Sequence, residues 1–510
     1  MRVTRSSKPS RSSRWLEYIA VALALLATGS AVAWGFHNAG FTLYYGDAES
    51  HLNIARRIID SRTPGYEQIG TAWLPLLHVL ILPFAGSMQW WQSGWAGTIP
   101  GVTCFALGGV LLYAAAHAVY SSRAAAMCSA LVYALNPNLL YLQSTPMTEP
   151  VFYAMQFGVL FSTILFARTQ ALWAAALAGV FSAAAALTRY DGWFLLPFTG
   201  LYILIAARRN RLRAAVVFGV IAGLAPAYWL AHNAYLYSNP LDFYNGPYSA
   251  KAIQGDADYP GKHDWQEAVQ YYGAAAWLCI GTALAAVGVA GAAAALLKRA
   301  FWPLFFLALP PGFYIVSMYS SGNPIFVPHL ETKSYYNTRY GLSILPLAAF
   351  AAGALAFRPV AAILVVAVAI APWLIHPGPA SWITWKESEV NSNARRAWTA
   401  QAADYLRDRY RPGAGIAVSF GDQIGVLREA GIPLKESLHE GNGPAALGAF
   451  HRPDLFLWEE WVLAIDGDPM SRAMQTLART GSSYVRVKLI EVKDARPFAI
   501  YRRIRPMPKP

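Results

Sequence analysis

Charge is what this sequence is short of. Only 14% of its 510 residues are Asp, Glu, Lys or Arg, and 55% are hydrophobic, where a soluble domain carries roughly 25% charged residues. The deficit falls in blocks of about 17–25 apolar residues, the length needed to cross about 30 Å of hydrocarbon. Cysteine is almost absent. Cys104, Cys128 and Cys279 each sit in an apolar block, with no paired spacing. That excludes a disulfide framework or zinc site and leaves three small buried hydrophobes. No basic face with interleaved aromatics occurs either. The net charge of +13 comes from short runs between apolar blocks, which excludes a nucleic-acid partner and matches loops held on a cytoplasmic face.

What is present is a series of spans. A basic tail with Arg2, Arg5, Lys8, Arg11 and Arg14 precedes the first apolar block, Trp15 to Phe36. The block is too long for a signal-peptide core and has no marked cleavage site, so it reads as an uncleaved first helix with its N-terminus in the cytoplasm. Ten further helices are expected near 95–120, 124–141, 150–167, 171–187, 192–207, 214–232, 273–296, 301–319, 338–356 and 359–375. With residue 1 inside, the inner gaps hold Arg123; Arg168; Arg208, Arg209, Arg211 and Arg213; Lys298 and Arg299; and Arg358, with no acid among them. The outer gaps hold the acids: Asp47, Glu49, Asp60, Glu67, Glu149, Asp191, Asp242, Asp256, Asp258, Asp264, Glu267 and Glu331. The bias supports one multi-pass topology.

The chain divides at about residue 376. Residues 1–376 form the membrane part. Residues 377–510 are rich in charge, with helical stretches at Ala394–Arg409 and Pro469–Arg479 and β-like runs at Ile416–Phe420, Tyr484–Val487 and Phe498–Tyr501. They read as a small α/β extracytoplasmic domain with a core of its own. The first outer loop, 37–94, has patterning of its own. Asp47 to Asp60 is apolar at 52, 54, 55, 58 and 59, which predicts an amphipathic interfacial helix. Trp73–Phe84 is apolar but short for a crossing and predicts a second interfacial or re-entrant helix. Trp90, Trp91 and Trp95 read as an interfacial belt.

Four groups converge at outer helix ends: Asp47 and Glu49 after the first span, Glu149 before the fourth, Arg189 and Asp191 flanking Tyr190 before the sixth, and Lys333 and Arg339 with Tyr340 before the tenth. Carboxylates can deprotonate a hydroxyl or hold a metal, arginines and lysines hold phosphate, and tyrosines pack against sugar. A sugar-bearing lipid phosphate would lie at this depth.

The order of these motifs over residues 15–375 resembles that of the GT-C membrane glycosyltransferases, in particular the family 39-like group of protein O-mannosyltransferases and aminoarabinose transferases. The resemblance implies an inverting enzyme of the bacterial cytoplasmic (inner) membrane. It would move a sugar from a polyprenyl phosphate to a hydroxyl of a glycan, lipid or protein on the outer face. It implies Asp47 as general base and Glu149 as the acid that orients the acceptor. Glu49 also counts as a catalytic candidate, although Ala48 separates it from Asp47 where the family often has two adjacent acids. Arg189, Arg339 and Lys333 would hold the donor phosphate, and Tyr190, Asp191, Tyr340 and His51 would line the substrate. The motifs make no cofactor certain, and whether a divalent cation (Mg or Mn) at Asp47 and Glu149 is needed stays open. Blander roles fit the same residues: helix capping for Asp47 and Glu49, ordinary helix starting for Glu149, mutual pairing for Arg189 and Asp191, headgroup anchoring for Arg339, and packing for His51 and His78. A secondary transporter should show repeats or mid-membrane charge, and neither is found. A non-catalytic polysaccharide-assembly protein would not need Asp47.

Overall fold

The computed structural model describes residues 11–504 apart from 256, 321, 481 and 482. Arg2, Arg5, Lys8 and Asp256 therefore lie outside the described residues. In chain order, the first half holds α1 (Arg11–Asn38), α2 (Gly46–Arg57), α3 (Leu76–Ala85), α4 (Met88–Ser93), α5 (Trp95–Tyr120), α6 (Arg123–Ala134), α7 (Pro137–Leu142), α8 (Glu149–Thr169), α9 (Leu172–Ala186), α10 (Tyr190–Ala206) and α11 (Arg211–Tyr237). After short α12 (Asp242–Asn245) and α13 (Ala250–Gln254) come α14 (Trp265–Leu297), α15 (Phe301–Tyr319), a 3-10 turn over Thr338–Ile344, α16 (Leu345–Gly353) and α17 (Pro359–Ile375).

This is a polytopic α-helical membrane protein with a C-terminal α/β part. Among the described residues six helices, α1, α5, α8, α11, α14 and α15, have the length and composition to cross a bilayer, and α3, α6, α9, α10 and α17 are shorter apolar helices. α5 packs between α1, α6 and α8, and α9 lies between α8 and α11.

Three expected spans are interrupted, the one over 273–296 by a kink in α14 at Gly281, whose φ of 70° and ψ of 162° are not helical. The helix expected over 124–141 stops at Ala134, because Asn136 accepts from the N–H groups of Asn138 and Leu139 and Pro137 opens a new helix. An Asn cap followed by Pro is a start signal that an uninterrupted helix cannot absorb. The helix expected over 338–356 is a 3-10 turn followed by nine-residue α16. There, the backbone of Gly341 lies against that of α14. A Cβ on Gly341 would sit 2.3 Å from the Ala275 carbonyl carbon. Gly341→Ala should therefore force the turn off α14 and cost about 1–3 kcal/mol, read as a lower unfolding midpoint of the purified protein. An unchanged midpoint would mean that the close approach is not needed.

The C-terminal part begins with α18 (Ile383–Arg407), which starts eleven residues before the expected Ala394, and continues through α19 (Ile424–Ala430), α20 (Pro444–His451), α21 (Pro453–Phe456) and α22 (Pro469–Thr480). Its strands are β1 (Ile416–Ala417), β2 (Ser437–Leu438), β3 (Trp461–Ile465), β4 (Tyr484–Ile490) and β5 (Phe498–Arg503), in the order β2-β1-β3-β5-β4. β1 is parallel to β2 and β3, and β5 is antiparallel to β3 and β4. β1 is far shorter than the expected Ile416–Phe420, and β2 and β3 were not anticipated.

The loop helices do not lie free on an interface. Leu52 and Ala55 of α2, Leu77 and Ile81 of α3 and Trp91 of α4 share one apolar core with Trp398, Ile416, Leu427 and Trp461. α2 is covered on both sides, so eight of its twelve residues are buried. The belt reading of Trp91 is thereby corrected: it is fully buried and donates to Asn53 Oδ1 at 2.9 Å, while Trp90 keeps 39% exposure. The three cysteines are buried and unpaired.

Candidate active site

Arg339 gathers the acids. It sits on the 3-10 turn, with its guanidinium buried and shared among three carboxylates. Nη2 reaches Asp47 Oδ2, Nε lies 3.4 Å from Glu149 Oε1, and Nη1 lies 3.3 Å from Glu387 Oε1. Its backbone N–H donates to the other oxygen of Glu387 at 2.9 Å. Both Tyr45 and Tyr340 lie 5.0 Å from the guanidinium carbon, on their ring faces, and this cation–π contact suits a desolvated arginine.

Arg189 completes the group from the start of α10. Its Nη1 contacts the same Glu149 oxygen at 3.1 Å and donates to Thr148 Oγ1 at 2.6 Å, and its Nε lies 3.3 Å from Asp191 Oδ1. Tyr314 donates to Asp191 at 3.2 Å and stacks on Tyr340. Glu149 thus bridges two arginines through one oxygen. Its other, Oε2, is buried with no protein hydrogen-bond partner among the described residues. Such an orphan acceptor is costly unless something else meets it.

Of the residues expected at the site, Asp47, Glu149, Arg189, Asp191, Arg339 and Tyr340 come together. Four do not join them. Glu49 points to the C-terminal part, paired with Arg428 and, at 3.2 Å, with Arg395. His51 shares a 2.9 Å hydrogen bond with His78 and packs edge-on to Trp73, and burial first, then His78, hold its pKa well below the usual histidine value. Tyr190 donates to the Ala72 carbonyl and stacks on Phe243. Lys333 stays exposed in the loop before the turn.

The residue that sequence reasoning missed is Glu387, buried on α18. Tyr45 donates to it at 3.1 Å. Burial pushes its carboxyl above the ordinary range, and Arg339 opposes that shift. A signal was present: Thr384, Ser388, Ser392, Arg395 and Thr399 recur at helical spacing as a buried polar stripe, where a free-standing domain helix would show an apolar one. Glu387→Gln keeps shape but loses the anion that holds Arg339. It should lower kcat by up to about 100-fold with little change in KM, as expected for a displaced positioning group; an unaltered kcat would leave Glu387 a structural contact only.

The carboxylates do not suit a divalent cation as arranged. Among the described residues no three His, Cys, Asp or Glu side chains are grouped as metal ligands, and the Arg339 guanidinium pairs with both Asp47 and Glu149.

The spans, the loop helices and the C-terminal part together make one fold, which solved structures share. It is similar to the crystal structure of ArnT from Cupriavidus metallidurans bound to undecaprenyl phosphate, with a TM-score of 0.55 at 14% identity over 96% of this chain and 98% of that one. The apo state of the same protein gives 0.54 at 14% identity over the same shares. At this identity the likeness is one of fold. No protein-family model matches the chain, and no curated protein does.

Proposed function

We propose that this chain is a membrane glycosyltransferase of the bacterial cytoplasmic membrane, moving a sugar from a polyprenyl-phosphate donor to an acceptor hydroxyl on the outer face. The observation that carries the reading is the cluster itself: Asp47, Glu149 and two buried arginines at helix ends, in the fold of a protein crystallised with undecaprenyl phosphate. The charge bias of the loops supports an outward placement of residues 377–510, beside a membrane part of residues 1–376.

In the proposed reaction Asp47 takes the proton of the acceptor hydroxyl. The oxygen attacks C1 of the sugar, the bond from C1 to the phosphate oxygen breaks, and the lipid phosphate leaves with both electrons. A single displacement inverts C1, and a phosphate leaving group needs no second acid, unlike an alcohol. Glu149 bridges Arg189 and Arg339 through Oε1 and so holds together the two cations that meet the donor.

Four carboxylates, Asp47, Glu149, Asp191 and Glu387, meet two arginines, so neither guanidinium waits free for phosphate. The donor phosphate takes its place by exchange: Arg339 turns from Asp47 toward the phosphate, which stabilises the leaving charge and releases the Asp47 carboxylate to act as base. The test is turnover of a radiolabelled polyprenyl-phosphate sugar by the purified protein in detergent, with and without chelator. Transfer or release of sugar that survives chelation is the expected result; no turnover with any donor would overturn the reading.

A further inference from the structure

Arg339 is the only side chain in ion-pair contact with Asp47 among the described residues. In the exchange set out above, that cation turns to the donor phosphate. The Asp47 carboxylate must then keep its direction through its backbone alone, and a displacement of about 1 Å can lower a rate about 100-fold. That backbone is the first turn of α2, which no side chain caps.

The hold on this turn comes from α18. The Tyr45 hydroxyl donates to the Thr384 carbonyl at 2.7 Å and to Glu387 at 3.1 Å. Further along α18, Arg395 grips the same segment. Its Nη2 donates to the carbonyls of Leu43 at 3.2 Å and Tyr44 at 2.7 Å, and its Nε lies 3.2 Å from Glu49 Oε2. Its Nη1 lies against Gly46, where a Cβ would meet it at 2.7 Å, and stands 3.6 Å from Asp422 Oδ1. Arg428 of α19 takes the other Glu49 oxygen. Arg395 and Glu49 are both buried, so water screens their contact little. Burial works against the Arg395 charge, but Glu49 and then Asp422 lift its pKa above the ordinary arginine value, and Asp47 adds to them. Asp47 therefore stands between two points of attachment, the carbonyls of Leu43 and Tyr44 on one side and Glu49 on the other, and one guanidinium holds both. A planar fork of five donors can do this, whereas a lysine ammonium on a flexible stem cannot.

We propose that Arg395 is a positioning residue for Asp47, fixing the first turn of α2 so that the carboxylate keeps its direction once Arg339 has moved to phosphate. This rests on the glycosyltransferase reading, and within it the C-terminal part is a working component of the active site. The test is single-turnover transfer or release of sugar from a radiolabelled polyprenyl-phosphate donor by the full chain in detergent. Wild type is compared with Arg395→Lys, Gly46→Ala, Asp47→Asn and the Asp47→Asn, Arg395→Lys double variant. Gly46→Ala alters no charge and suits a helix better than glycine, yet its Cβ displaces Arg395, so it serves even where the lysine variant is unstable. Arg395→Lys and Gly46→Ala should each slow the reaction about 10–100-fold, with the half-saturating donor concentration unchanged and, in Gly46→Ala, no fall in the unfolding midpoint. In the Asp47→Asn background, Arg395→Lys should add almost nothing, because residues that act as a unit are not additive. A structural role alone would slow both backgrounds equally. Wild-type rates in Arg395→Lys and Gly46→Ala, weakened donor saturation that accounts for the loss, or equal losses in both backgrounds would overturn the proposal. No turnover by wild type with any donor sinks the transferase reading and the role of Arg395 with it; an active wild type with equal losses in both backgrounds sinks the role of Arg395 alone.

Discussion

Asp47→Asn is expected to lower sugar transfer by about 10²–10⁴-fold, the contribution of a positioned general base, while binding of polyprenyl phosphate persists. The choice among the four carboxylates rests on access. The Asp47 side chain is 40% exposed, against 4% for Glu149, 3% for Asp191 and 1% for Glu387. A base must reach a hydroxyl that arrives from outside, and only Asp47 is open enough to do so. Asparagine keeps the size and still offers Arg339 an acceptor oxygen, so the fold should hold. Single-turnover transfer of a radiolabelled donor sugar, beside equilibrium binding of the lipid phosphate, separates the two effects. Equal turnover by both proteins would remove Asp47 from the chemistry.

Arg339→Gln should be more damaging, and to stability as well. Removing the guanidinium leaves Asp47, Glu149 and Glu387 facing one another. Breaking a buried ion pair from one side costs about 3–5 kcal/mol, because the remaining charge is uncompensated. Here three acids share the loss, and Arg189 still touches only Glu149 among them. The expected outcome is a clear fall in the unfolding midpoint together with loss of donor binding. Arg339→Lys keeps the charge but not the planar fork, and should recover midpoint more than activity. A glutamine variant that unfolds and binds donor like wild type would contradict the central place given to Arg339.

The membrane fold was legible because bilayer crossing writes itself as length and charge bias, which need no knowledge of packing. Helix ends were less so. The turn at Asn136-Pro137 is a local signal that an apolar run masked, and the turn at Gly341 depends on a backbone contact with Ala275 that sequence cannot state. At the site, the motifs carried Asp47, Glu149, Arg189 and Arg339, since each stands at the end of a span. Glu49 and Asp47 look alike in sequence, two residues apart, yet they face different partners because α2 is enclosed on both sides. Glu387 escaped because the charged stretch Lys386-Glu387-Ser388-Glu389 reads as solvated helix surface until the partner of its inner face is known.

The reach of Glu387 has a consequence for how the protein is made. The groups on Arg339 come from residues 47, 149, 339 and 387, so the cluster gathers contributions from nearly the whole synthesis of the chain. Asp47 and Glu149 leave the ribosome long before their common cation, and Arg339 emerges before its third carboxylate. Every span is therefore threaded into the bilayer before the cluster can close, and α18 closes it. A chain halted short of residue 387 would carry Asp47, Glu149 and Arg339 and still lack the third carboxylate on that cation, which makes the arrival of α18 the last step of assembling the cluster.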